Sequence, residues 1–357
     1  MTMLVAVAVL GFTAVAGRAD DAKPAKPDKP APALKVGDPA PPLKASKWLQ
    51  GDEVRAFEPG KVYVVEFWAT WCGPCIAFMP SLAELQAEYK DKGVACIGYT
   101  ARDPDNTADK AAAFVKKRGP KLAYTFAYSD DRTSYDAWMT AAGRTAIPCA
   151  FVVDKTGRVA YHGNPMYLPV VLPKVVAGNL SAKEVSAAAD KVRQEYSEAS
   201  AALFPDHAVG LKKLKEFEAK YPPLANNLII VRAKLSLLPK VGDVPEAKAV
   251  AEAVMAKAVA QENPSSLLQV SALLRNGPGK EHKELLAVAV KAAEAAVRLT
   301  GEKDAGALLD LAESHLAVGD KAKAQDSARK AVAAASEEPA ALRQAIEQAA
   351  AKMMDGK

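Results

Sequence analysis

Residues Val64–Pro80 read VVEFWATWCGPCIAFMP. The run Val62–Trp68 is apolar, β-branched and aromatic, the composition of a central strand buried on both faces. It stops at a short turn holding Cys72, Gly73, Pro74 and Cys75, and a helical pattern follows at once. Two thiols two residues apart at a strand-to-helix junction suit reversible dithiol–disulfide chemistry. The first sits where unpaired backbone N–H groups and the helix dipole favour a thiolate. The second lies one turn in, within reach of a mixed disulfide on the first. Gly73 gives the turn its freedom, and Pro74 fits the start of a helix, where an N–H would go unpaired.

Other uses of C-x-x-C are disfavoured. Haem attachment needs a His after the second Cys, and position 76 is Ile76. A zinc half-site needs a second ligand pair, whereas Cys96 and Cys149 stand alone with no His nearby in sequence. An incidental pair is the remaining alternative, and the strand–turn–helix context argues against it.

Phe67-Trp68-Ala69-Thr70-Trp71-Cys72-Gly73-Pro74-Cys75 resembles the active site of the thioredoxin superfamily, and its WATWCGPC wording resembles the extracytoplasmic TlpA/ResA-type branch. The likeness covers about Leu34–Leu180. It implies an α/β thioredoxin-like domain, a mixed sheet flanked by helices, with Cys72 as nucleophile, Trp71 beside it and Cys75 as resolving thiol. It also implies a cis bond at Ile147-Pro148, opposite the cysteines, where the backbone pairs with substrate; an ordinary trans proline is the alternative. Glu66 stands where thioredoxins carry a buried Asp, although the TlpA/ResA branch often lacks an acid there. A carboxyl in that strand is expected to have a raised pKa and to take the proton of Cys75. The alternative is that strand alternation turns Glu66 to solvent or an ion pair. Ala69, where peroxiredoxins carry Thr, argues against peroxidase chemistry. The redox pair carries the electrons itself, so no cofactor and no metal is expected.

Around this centre the order of elements is strand–helix alternation closed by a hairpin and a helix. Leu34–Gly60, with its GDPAPP opening, resembles an N-terminal hairpin. A first helix is expected at Cys75–Lys90 with a kink at Pro80, strands at Val94–Tyr99 and Leu122–Tyr128, and helices at Thr107–Lys117 and Ser134–Ala142. The hairpin is Cys149–Val153 with Val159–Tyr161, and Leu168–Val176 is the closing helix. The sheet order of the family that the motif resembles places Cys96 and Cys149 on strands either side of the Glu66 strand, roughly 9–10 Å apart and beyond disulfide reach. Cys96 reads as a small buried apolar residue. Cys149 follows Pro148, and a third redox thiol facing the site is the minor reading.

The chain has 357 residues, room for two domains. All four Cys and all four Trp precede residue 150, and no Phe, Trp or Tyr follows Tyr221. Residues 181–357 are rich in Ala, Leu, Val, Lys and Glu and read as all-α. Three units recur at a period of roughly 40 residues: Leu228–Leu238 with Ala247–Ala258, Leu267–Leu274 with Leu285–Leu299, and Leu308–Leu316 with Ala324–Ala335. The last, with Leu311, Ala312, Gly319-Asp320, Ala324 and Ala331, resembles a TPR. Such a stack offers a groove for a protein or peptide partner; a plain helical packing domain is the alternative. His162, His207, His282 and His315 are scattered and read as structural.

Met3–Gly17 has the length of a signal-peptide core, so residues 1–19 read as an export signal despite lacking a basic start, and no span is expected unless this leader is retained. Residues 20–33 (DDAKPAKPDKPAPA) read as a solvated linker. The net charge of +5 is dispersed among acids, which argues against nucleic-acid binding. The reading is an extracytoplasmic thiol–disulfide oxidoreductase acting on protein disulfides, expected to be a reductant because its Gly-Pro spacer resembles that of the family's reducing members, with the electron donor unnamed by the sequence. Isomerase activity and a redox-sensing scaffold whose repeats recruit a partner are the alternatives.

Overall fold

The computed structural model describes residues 34–337 and 340–354. The expected leader and linker lie outside the described residues. Strand β2 (Val62–Phe67) is buried along its whole length. It runs parallel to β3 (Val94–Ala101) and antiparallel to β5 (Cys149–Val153). With β1 (Lys47–Gln50), β4 (Thr125–Ser129) and β6 (Val159–Gly163), these form one mixed sheet in the order β1-β4-β3-β2-β5-β6. Alternation divides β2 between two cores. Val62 and Val64 face a layer built by α1 (Gly73–Tyr89), α2 (Ala108–Leu122) and α4 (Leu168–Ala177). Tyr63, Val65 and Phe67 face Trp138 and Met139 on the other side. A strand covered twice must be apolar at both parities, which is why Val62–Trp68 shows no alternation.

The N-terminal segment differs from the expected hairpin. It supplies one strand, β1, paired antiparallel to β4 at the sheet edge, while Pro39 makes only an isolated bridge to Arg158. Gly37 and Ala40 donate to the Val159 and Gly157 carbonyls and Asp38 accepts the Val159 N–H, but Pro39, Pro41 and Pro42 offer no N–H, so the contact with β6 does not lengthen into a strand. Helix α2 runs on past Lys117 to Leu122, with Ala123 left-handed at its end, so β4 begins at Thr125. The expected helix Ser134–Ala142 is a short α-turn, α3 (Thr133–Tyr135), opening into a π-turn over Asp136–Thr140 that buries Trp138 and Met139. Two consecutive large side chains turned inward favour the wider turn.

Beyond α4 the chain is helical: α5 (Ala182–Ala201), α6 (His207–Lys220), α7 (Leu228–Leu237), α8 (Val244–Ala260), α9 (Pro264–Asn276), α10 (Lys283–Leu299), α11 (Ala305–Ala317), α12 (Lys321–Ala334) and α13 (Ala340–Met354). Local chemistry sets the starts. Asp206, Asn227, Asp243, Asn263, Asp304 and Asp320 each accept a backbone N–H of the turn they cap. The three units read from the sequence are the packed pairs α7/α8, α9/α10 and α11/α12. Arg275 of α9 ties the second pair to the third through Asp310 (3.0 Å) and Glu313 of α11.

No seam separates the sheet from the first of these helices. The core over α1 and α4 continues through Val185, Ala189, Val192 and Ala199 of α5 to Leu214 and Phe217 of α6, Leu224 and Ile230. Two exposed ion pairs, Lys257–Glu84 (3.1 Å) and Lys121–Glu262 (2.9 Å), join the α8 end to α1 and α2; pairs so exposed add little beside the shared core. Phe217→Ala should therefore cost about 3 kcal/mol and act on both halves. All four tryptophans lie before residue 150, so denaturant unfolding followed by Trp fluorescence reports the sheet alone. The expected result is a fall in that midpoint equal to the fall seen by far-UV circular dichroism; an unmoved fluorescence transition would show the halves to be independent.

Candidate active site

β2 delivers the chain to a loop, Trp68–Trp71, at one end of the sheet. The Trp68 N–H donates to the Tyr99 carbonyl (3.1 Å), extending the parallel pairing one residue before the chain turns. Cys72 is the N-cap of α1: its Sγ accepts the Cys75 N–H at 3.3 Å, and its carbonyl accepts the Ile76 N–H at 3.1 Å. Pro74 stands in the first turn, and α1 begins at Gly73, two residues before the expected start. Cys72 and Cys75 are joined by a disulfide (S–S 2.06 Å). Cys75 is wholly buried, on the inward stripe of α1 with Met79, Leu82, Leu85 and Tyr89, while Cys72 retains 4% exposure at the rim.

Trp71 is 57% exposed, and its indole N–H donates to Asp103 Oδ2 at 3.0 Å. Gly73 and Pro74 are exposed beside it. The Ile147-Pro148 bond is cis. Phe67 pairs with Cys149, so Pro148, just before β5, lies at the same end of the sheet as the cysteine turn. Ile147 is half-buried and packs against both cores.

Glu66 is 1% exposed, and neither carboxylate oxygen has a hydrogen-bond partner. It shares the parity of Val62 and Val64 and so faces the α1 layer. Burial pushes its carboxyl up to about 8. At neutral pH it therefore holds a proton, and it is the one acid of β2. The Tyr124 hydroxyl and the Trp68 indole N–H, in the same core, also lack partners. Tyr124 is a residue that the sequence pattern did not reveal; an aromatic before a strand carries no signal of what its hydroxyl faces. Asp103 was equally hidden, although a D-P-D-N turn directly after a buried strand marks a loop at that sheet end.

The free thiols stand apart from this chemistry. Cys96 pairs with Val64 and is buried on the α1 side; burial raises its pKa far above a free thiol's. Cys149 shares the face of Phe151 and Val153, opposite that of Cys72 and Cys75, so it does not line their site. The residue after a cis-proline begins a strand, and its side chain follows the strand's parity rather than the loop. Burial pushes its thiol up to about 12.

Residues 35–167 match the Redoxin family. The chain is 37% identical over 153 residues to Protein FixW of Rhizobium leguminosarum, covering 42% of this chain and 69% of that one. It is 31% identical over 158 residues to the thiol-disulfide oxidoreductase ResA of Bacillus cereus, covering 44% and 80%. The chain belongs to the ResA-type redoxins of the thioredoxin superfamily. Among solved structures it is similar to a putative thiol:disulfide interchange protein DsbE from Chlorobium tepidum, at 22% identity and TM-score 0.32, over 40% of this chain and 97% of that one. This redoxin is a thioredoxin-like oxidoreductase, and its helices beyond residue 167 fall outside the family match. No described helix is long and apolar enough to cross a membrane.

The Glu66 carboxyl gives a pH test. Its folded pKa lies near 8 against an ordinary 4.5. The native chain thus binds a proton that the unfolded chain releases. Stability linked to Glu66 is full below about pH 4.5 and declines until pH 8, at up to about 1.4 kcal/mol per pH unit. Glu66→Gln should flatten that decline in urea midpoints between pH 5 and 8. Parallel wild-type and variant profiles would show that Glu66 does not titrate there.

Proposed function

We propose that this redoxin reduces disulfides of protein substrates in an extracytoplasmic compartment. The Cys72 thiolate attacks a substrate disulfide, forming a mixed disulfide and expelling one substrate thiolate. The Cys75 thiolate then attacks Cys72 Sγ, releasing the second substrate thiolate and closing the Cys72–Cys75 bond. Two electrons pass from the dithiol to the substrate, and the expelled thiolates take up protons. Glu66 accepts the proton that Cys75 must lose before attacking in those molecules whose carboxyl is ionised, a minority at neutral pH that grows toward pH 8. Its raised pKa matches it to a thiol better than an ordinary carboxylate would be. Trp71, Gly73, Pro74, Ile147 and Pro148 form the ledge on which the substrate backbone lies.

The observation that carries this reading is the asymmetry of the pair: Cys72 at the rim as the cap of α1, Cys75 sealed beneath it. Exposed Trp71 and the cis Ile147-Pro148 bond at the same sheet end support the docking ledge. ResA relatives are thiol-disulfide oxidoreductases by name, which supports a thiol substrate class. The export-like leader read from residues 1–19 supports the compartment.

A second reading concerns the helices. Between α8 and α10 lies an open groove of about 390 Å³, lined by Met255, Ala256, Val259 and Ala295 with Glu252, Lys291, Glu294 and Arg298 around them. This groove supports a TPR-like role in recruiting a protein or peptide, with the redox pair reporting on the complex.

Trapping distinguishes the two. In cells, Cys75→Ser should accumulate covalent adducts on Cys72 that dithiothreitol releases, and Cys72→Ser should yield none and lose all disulfide reductase turnover. Wild type that binds partners but turns over no disulfide would favour the recruiting role.

A further inference from the structure

The reactive loop is held by a short segment that follows β3 and contributes nothing to the sulfur chemistry itself. Asn106 is 0% exposed and fully engaged. Its Oδ1 accepts the Thr70 N–H at 2.9 Å. Its Nδ2 donates to Thr100 Oγ1 at 2.8 Å and to the Ala101 carbonyl at 2.8 Å. The buried Thr100 hydroxyl then donates onward to the Trp68 carbonyl at 2.6 Å. Asp103 accepts the Trp71 indole N–H, and its other oxygen accepts the Asp105 N–H at 2.8 Å, which folds the turn back on itself. Three successive points of the loop are thus fastened to the end of β3: the Trp68 carbonyl, the Thr70 N–H and the Trp71 indole.

We propose that the segment Thr100–Asn106 is a clamp that positions Cys72, with Asn106 as its central positioning residue. The proposal rests on the reading of Cys72 as nucleophile. A thiolate at the start of α1 is stabilised only while its sulfur stays over the N–H groups of the first turn, and that effect dies within one turn. The path from Asn106 to the sulfur is short. Thr70 is two residues from Cys72, and the Cys72 N–H closes the same loop on the Ala69 carbonyl at 3.0 Å. An asparagine is the side chain that can do this. It offers two donors and an acceptor in one plane, so it joins the strand's carbonyl and hydroxyl to a loop N–H at once. Aspartate would lose both donations, and alanine would release all three contacts. The titratable groups packed into the same face are Cys75, Glu66, Cys96, Tyr89, Tyr124, Tyr161 and Tyr167, with the Tyr128 hydroxyl on the Asn106 carbonyl and Asp103 at the surface. A substitution at 106 leaves all of them in place.

The test uses the full chain, reduced, with Asn106→Ala. The Cys72 pKa is read from the pH dependence of alkylation by iodoacetamide, and attack on a small aromatic disulfide is timed at pH 6. Thermal unfolding is recorded beside them. Leu235→Ala, in the helical core remote from the loop, serves as the control for general destabilisation. The expected result is a Cys72 pKa raised by about one unit and attack slowed about 3-fold at pH 6, the ~10-fold loss of thiolate being partly offset by the greater nucleophilicity of the more basic sulfur, with Leu235→Ala changing neither. Should Asn106→Ala not fold, Thr100→Val carries the same expectation, since it keeps the shape and removes the hydroxyl that reaches Trp68. A variant that lowers Tm yet leaves pKa and attack rate at the wild-type values overturns the clamp. A wild-type Cys72 pKa equal to that of free cysteine would sink the nucleophile reading instead, whatever the variants do.

Discussion

Helix α1 begins on a sulfur where most helices begin on an oxygen. The Cys72 Sγ takes the N–H of Cys75, so the atom that caps the helix is the atom with redox chemistry to do. Capping and thiolate stabilisation are here one interaction seen twice. The unpaired N–H groups of a helix start need an acceptor, and a thiolate needs donors and positive potential. The two needs meet only if the chain arrives at Cys72 from the right direction. That direction is set by β2, whose burial between two layers fixes where the strand ends and where the loop must turn. The disulfide shares this dependence: Cys75 lies one turn along α1, on the stripe that Met79 and Leu82 bury, so the packing of α1 on the sheet decides which thiol is sealed.

Much of this was legible in the sequence because it is local. The two-sided burial of β2 shows as an unbroken apolar run, the helix start as Gly-Pro, and the paired helices as Gly-Asp punctuation between Ala-rich stretches. What escaped was whatever depends on a partner far along the chain. The pattern of α5 shows that Val185, Ala189 and Val192 share a face, but not that the face completes the core over α4. A sharp change of composition near residue 180 therefore suggested a boundary where the packing is continuous. Cys149 shows the same limit at smaller scale. Its adjacency to Pro148 pointed to the site, yet strand parity, set by pairing with Phe67, turns it to the opposite core. Asn106 was the least visible, since one amide in an irregular loop has no periodicity. Its role exists only through Thr70, Thr100 and Ala101 together.

The shared core gives the helical region a mechanical connection to the redox pair. Residues of α5 and α6 lie in the same apolar cluster as Cys72 and Cys75, and Lys257 of α8 reaches Glu84 on the outer face of α1. Close-packed interiors transmit displacement rather than absorb it.

The raised pKa of Glu66 rests in turn on a glycine. Glu66 is paired across the parallel ladder with Gly98. A Cβ at Gly98 would stand 2.9 Å from the Phe126 ring and 3.3 Å from the Trp68 indole nitrogen, closer than either could tolerate without moving. The missing side chain lets Phe126 and Trp68 meet edge to face, with ring centroids 5.7 Å apart, beside the carboxyl. Phe114 packs on Trp68 in turn, with ring centroids 5.0 Å apart, and the three rings form an aromatic wall in the core over α1. Burial is the cause of the raised pKa, and the wall is part of that burial. A larger residue at 98 would clash first with the Phe126 ring and crowd the Trp68 indole packed against it. Since Trp68 is also the residue whose carbonyl Thr100 holds, the same crowding would disturb the loop leading to Cys72. Trp68 thus serves two places at once: its ring packs in the aromatic cluster beside Gly98, and its carbonyl is held by Thr100 in the loop that leads to Cys72.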